Sequence, residues 1–134
     1  MAEQTAVQTF DPQARVTPTQ ARMDKLLVAS LRLDVPNYGL SDAEIEEYAP
    51  LMQCQLDEWQ AVIKPLDNLQ LVDLARFFTL AERLPGWQAG DRSPVIAFMA
   101  ELRKREAVPP LLGNWIRRST DNRFLPWGSL QSRL

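Results

Sequence analysis

The residues best suited to recognition chemistry lie in one stretch near the C-terminus, Trp115–Gly128. It gathers Arg117, Arg118 and Arg123, the aromatics Trp115, Phe124 and Trp127, and a turn at Asp121-Asn122. Guanidinium forks read planar acceptors two at a time, and aromatic rings supply rigid apolar anchors. The composition therefore predicts a partner-binding segment built on Trp115, Arg117, Arg118, Arg123 and Trp127. The competing expectation is a tail folded back on its own domain, with Trp115, Phe124, Leu125 and Trp127 as pegs, since each large side chain fully buried gains about 1.5–3 kcal/mol. Both hold together if a docked tail presents only its arginines.

Catalytic chemistry finds little material here. The chain has no histidine, which removes the commonest general base and metal ligand. Cys54 stands alone between Gln53 and Gln55, without an activating partner, and is expected to be a small buried hydrophobe on a helix. Glu44, Glu46, Glu47, Asp57 and Glu58 suit helix starts and solvated faces better than a cation site. No spacing matches a calcium loop or a phosphate-cradling glycine loop. The expectation is a protein without catalytic residues, metal or cofactor.

Charge is unevenly distributed. Residues 34–91 hold eleven acids against three bases, and residues 92–134 hold eight bases against three acids. The two regions are expected to lie side by side and partly neutralise. If the fourth and fifth helices pair antiparallel, Arg103, Lys104, Arg105, Arg117, Arg118 and Arg123 form one basic patch. With Trp115 and Trp127 nearby, such a patch would grip phosphates and stack bases. An overall pI near 5.2 and the lack of a nucleic-acid-binding motif make this the secondary reading.

These residues need a scaffold, and the apolar periodicity is near 3.6 throughout, without clean alternation. At 134 residues with 46% hydrophobic content, the chain predicts a single all-α domain of about five helices. Residues 1–16 are expected to be a flexible leader; residues 17–134 form the domain, including an irregular but docked C-terminal tail. The first helix is expected after a Thr17 cap, with Met23, Leu26, Leu27, Ser30 and Leu31 on one face. Ser41-Asp42-Ala43-Glu44 is a capping box. It opens a helix whose stripe runs Ile45, Tyr48, Ala49, Met52, Leu56, Trp59 and Ile63, kinked or split nearly in line at Pro50. The third helix starts at Asp67 and carries Leu71, Leu74, Ala75, Phe78 and Ala81, widened by Leu69, Val72 and Leu80. Ser93-Pro94 starts a fourth, and a short fifth covers roughly Pro110–Ser119 with Leu112, Trp115 and Ile116 inward.

Neither a signal peptide nor a membrane span is expected, because Met1–Phe10 is polar and no apolar run is long enough. A single cysteine suits a reducing compartment. These features together predict a cytosolic, non-catalytic binding or regulatory protein acting through a protein partner, with nucleic acid as the alternative. They leave the partner's identity and the oligomeric state open.

Overall fold

A computed structural model describes residues 16–129 of the chain. The fold is all-helical, and there is no strand among the described residues. Six α-helices occur in the order α1 Gln20–Ser30, α2 Asp42–Tyr48, α3 Leu56–Ile63, α4 Asn68–Ala81, α5 Pro94–Lys104 and α6 Leu112–Ser119. Short 3₁₀ turns occupy Pro36–Gly39, Ala49–Gln53 and Gly90–Arg92. Fifteen residues of the expected leader, Phe10 among them, lie outside the described residues. Val16 is half-buried against the core, and its carbonyl accepts from Cys54 Sγ at 3.2 Å.

Helix α1 begins later than the Thr17 cap implied. Thr19 is the cap, extended in backbone and accepting from Arg22 N at 3.2 Å, and residues 16–18 are not helical. Arg22 Nη1 instead holds the Thr17 carbonyl at 2.6 Å. Leu31 falls just beyond the helix, where the 3.6 spacing no longer sets its direction, and it is 74% exposed. Three consecutive left-handed residues follow, Asn37, Tyr38 and Gly39, with φ of 52°, 57° and 76°. They turn the Tyr38 ring back onto Phe77, with its hydroxyl donating to the Leu80 carbonyl at 3.2 Å. A side chain at Gly39 would meet Arg32 at 3.0 Å as well as an unfavourable φ.

The Ser41–Glu44 box forms as read, with reciprocal bonds of 3.1 and 2.9 Å. The stripe beyond it does not continue as one helix. Pro50 lies in the 3₁₀ turn, Cys54 and Gln55 are extended, and a fresh start follows as Gln55 N donates to Glu58 Oε1 at 2.9 Å. Pro50 lacks the N–H that α-helical continuation needs, so the chain tightens and then restarts in a new phase. Two consequences correct the sequence reading. Leu56 opens α3 on its outer side and is 51% exposed, and Cys54 is buried but not helical. Splitting the second helix raises the number among the described residues from five to six.

Helix α4 is central: α1, α5 and α6 all pack on it. Its Asp67 cap accepts from Gln70 N at 2.8 Å. Leu71, Leu74, Ala75, Phe77, Phe78 and Ala81 are buried, whereas Leu69, in the first turn, faces out at 70% exposure. Trp59, Phe77, Phe78, Trp87 and Phe98 form an aromatic centre with centroid separations from 5.0 to 6.2 Å, mostly edge to face. Trp87, placed only in a connection by the sequence, is wholly buried and donates to the Ile45 carbonyl at 2.9 Å.

Helix α5 ends in a Schellman motif: Ala107 N bonds to Leu102 O at 2.9 Å and Glu106 N to Arg103 O at 3.0 Å. Glu106 takes the left-handed position at φ 55° that glycine usually fills. Arg105, the cap residue, ties three segments together. Its guanidinium donates to Glu101 Oε2 at 2.8 Å, to the carbonyls of Leu66 and Lys64 at 2.7 and 3.2 Å, and to Asn68 Oδ1 at 3.1 Å.

Candidate functional site

Leu112 and Ile116, one helical turn apart, are buried and seat α6 on α4. That seating fixes the remaining faces of a short helix. Trp115 lies half-buried at the flank, with the Arg76 guanidinium 5.7 Å from its ring centroid. Arg117 and Arg118 project into solvent. Ser119 ends the helix, its hydroxyl donating to the Trp115 carbonyl at 2.7 Å and its carbonyl accepting from Arg83 Nη2 at 3.4 Å.

The chain then folds back over the helices. Leu125 is the deepest peg at 3% exposure, and Trp127 packs half-buried against the core beneath the Arg103 guanidinium, 4.8 Å from its ring. Phe124 is only half-buried, so Leu125 takes the anchoring part expected of it. Asn122 is the clasp. Its Nδ2 donates to both Glu82 oxygens at 3.2 and 3.0 Å and to the Gly90 carbonyl at 2.9 Å, while its Oδ1 accepts from Phe124 N at 2.9 Å.

Two concavities result. A cleft of about 610 Å³ lies between the end of α4 and the returning tail, lined by Glu82, Arg83, Arg118, Asn122, Arg123 and Phe124 among others. A shallow, mostly apolar groove of about 500 Å³ is lined by Pro109, Pro110, Leu111, Leu112 and Trp115, with Arg76 and Arg118 at its edge. Leu111 is 75% exposed there. Arg118 borders both hollows, and its guanidinium makes no hydrogen bond, ion pair or ring contact among the described residues.

Glu82 supplies the floor charge of the cleft. Burial pushes its carboxyl above the ordinary range, against the opposing pull of Asn122 and of the Ala89 backbone N–H. The carboxylate is therefore committed to holding the tail, and the guanidinium groups of Arg83, Arg118 and Arg123 supply the positive lining.

The structure brings Trp115, Arg118 and Arg123 to one continuous face. Arg117, bonded to Asn114 at 3.4 Å, and Trp127 line neither hollow. The antiparallel pairing that the single basic patch called for is not the main packing of α6, which sits on α4, and Arg105 is spent on the α3–α4 junction. Neither of the described ion pairs, Lys25–Glu44 at 2.6 Å and Glu101–Arg105 at 2.8 Å, joins the acidic region to the basic one. Arg76, Arg83, Glu82 and Asn122 were not singled out from sequence. The only local signal among them was the Asp121-Asn122 turn, and Asn122 acts through its side chain across forty positions.

No group of acidic, cysteine or histidine side chains with metal-binding geometry occurs among the described residues. None of their helices is long and apolar enough to cross a membrane. Comparison of the chain with family models, with curated proteins and with solved structures finds no match.

Proposed function

We propose that the protein is a non-catalytic binding module that docks a partner protein on the face formed by α6 and the returning tail. The partner element is a segment carrying an exposed apolar side chain beside a carboxylate. The observation that carries this reading is Arg118, an unengaged guanidinium at the junction of an apolar groove and an arginine-lined cleft. An apolar anchor in the groove, near Leu111 and Trp115, would place the adjoining carboxylate within reach of Arg118, and the fork favours a bidentate pair. Binding suits the cleft better than proton transfer does. The hydroxyls of Thr79 and Ser119 donate to backbone carbonyls, both at 2.7 Å, and Glu82 is held by Asn122. We assign the activity to the cytosol on the single, buried thiol of Cys54.

Nucleic acid fits less well. Glu82 and Asp121 line the same cleft as the arginines, and one face each of Trp115 and Trp127 is covered by Arg76 and Arg103. Selection from a displayed random-peptide library tests the proposal. Enrichment of peptides pairing a bulky apolar residue with Asp or Glu is expected, with affinity lost on Arg118→Lys and on Leu111→Ser. Enrichment of basic peptides, or binding indifferent to both variants, overturns it. Salt-sensitive binding of a mixed-sequence oligonucleotide through Arg118 and Arg123, without peptide selection, would establish the nucleic-acid alternative in its place.

A further inference from the structure

A further cavity of about 320 Å³ opens at the N-terminal ends of α3 and α5. Its apolar lining comes from Leu56, Trp59, Ile96 and Ala97, and its polar lining from Gln55, Asp91, Arg92 and Ser93. Trp59 is 1% exposed, and its indole Nε1–H has no acceptor among the described residues. The contrast with Trp87 is instructive, because that equally buried indole is satisfied by the Ile45 carbonyl. A buried N–H left without an acceptor forfeits the hydrogen bond it had with water. An indole can only donate. Of the four concavities described, Trp59 lines this one alone.

The surroundings define what would satisfy it. The Arg92 guanidinium makes no hydrogen bond or ion pair among the described residues, and the backbone N–H groups of Leu56 and Asp57, in the first turn of α3, donate to nothing described. All of these want an acceptor. Asp91, at the same mouth, wants a donor and cancels the charge of Arg92, and Asp57 in the first turn of α3 adds negative charge nearby. A net anion is therefore disfavoured. The geometry points to a binding site for a small carbonyl compound of zero net charge on a short aliphatic chain, an amino acid or a carboxamide. Its carbonyl or carboxylate oxygen accepts from Trp59 Nε1 and Arg92, its ammonium or amide donates to Asp91, and its aliphatic part lies against Leu56, Ile96 and Ala97. The volume sits at the small end of ligand sites, as such a compound requires.

The test is a proton–nitrogen correlation spectrum of the full chain, in which its four tryptophans give four indole signals and Trp59→Phe assigns the one of interest. Titration with L-valine and with isobutyramide should shift the Trp59 indole signal downfield and saturate. Isobutyrate, the net anion, should bind more weakly than both. Saturation by valine alone identifies the amino acid, and by isobutyramide the amide. Arg92→Gln, at an exposed position, should weaken binding by roughly 3- to 10-fold, the loss of one hydrogen bond. No shift by either compound up to tens of millimolar overturns the proposal. So does tighter binding of isobutyrate, wild-type affinity in Arg92→Gln, or an indole proton already bonded to a trapped water in the unliganded protein.

Discussion

Asn122→Ala should loosen the whole tail, although it removes only four heavy-atom contacts from the surface of the fold. The Asn122 amide supplies the donor to both Glu82 oxygens and to the Gly90 carbonyl, and its oxygen receives the Phe124 N–H. Each neutral hydrogen bond contributes about 0.5–1.5 kcal/mol net, and one to a charged acceptor about 1.5–3 kcal/mol. The site is only partly buried, so water reclaims some of the loss, and a destabilisation of about 2–4 kcal/mol is the reasonable total. For a chain of this size that corresponds to a fall of roughly 8–15 °C in the melting midpoint. The assay is urea and thermal unfolding followed by circular dichroism, with Trp127 fluorescence reporting the tail. Truncation after Thr120 should cost at least as much, since it also removes Leu125 and Trp127. A change below about 0.5 kcal/mol on Asn122→Ala, within the range of ordinary surface substitutions, would refute the clasp and leave Leu125 and Trp127 as the sole anchors.

Three other substitutions probe the same frame. Glu106→Gly should raise stability by about 0.5–1 kcal/mol, because Glu106 occupies a left-handed position at φ 55° that costs a non-glycine residue about 1–2 kcal/mol; an unchanged urea midpoint would contradict this. Arg105→Lys should cost about 1.5–3 kcal/mol, because a single ammonium cannot reach Glu101 and the Leu66 and Lys64 carbonyls together; wild-type stability in the variant would show the bridge to be ornamental. Burial raises the folded pKa of Glu82 above the ordinary 4.5, so the folded state holds this proton longer than the unfolded one, and its contribution falls as pH rises from about 4.5 through the raised value. Glu82→Gln should remove that component of the pH profile, measured as the slope of unfolding free energy between pH 4 and 7, and an identical slope would count against it. Glu44, held low by Lys25 and the Ser41 backbone N–H, runs the other way and loses its contribution as pH falls.

Several local features whose interactions close within four residues were legible from sequence. The boxes at Ser41–Glu44 and Asp67–Gln70 and the Ser93-Pro94 start are of this kind. The break between α2 and α3 was not legible, because the apolar stripe from Ile45 to Ile63 keeps helical phase across Pro50 and glutamine is an uncommon cap. Leu31, Leu56 and Leu69 show a related failure: each sits at a helix end, where phase predicts direction least well. For the candidate site, composition drew attention to Trp115, Arg118 and Arg123. It could not reveal the clasp of Asn122 on Glu82 or the bridge of Arg105 to Leu66, which span 40 and 39 positions and carry no periodic signature. Nor could it show that Arg117 and Trp127 line neither hollow, which depends on how α6 and the tail are seated.

One wall of the cleft is the returning tail itself, so the cleft half of the proposed recognition face exists only in molecules whose tail is seated. The apparent dissociation constant for any occupant is the intrinsic one divided by the seated fraction. Weakening the clasp would then lower affinity without touching a contact residue, and would do so through the concentration of competent receptor. The same linkage runs in reverse: an occupant bound across Arg118 and Arg123 stabilises the seated form, raising the melting midpoint in proportion to the logarithm of its concentration over its dissociation constant. Tail order and occupancy are thus two readings of a single equilibrium, and a change at Asn122 or Glu82 would tune both together.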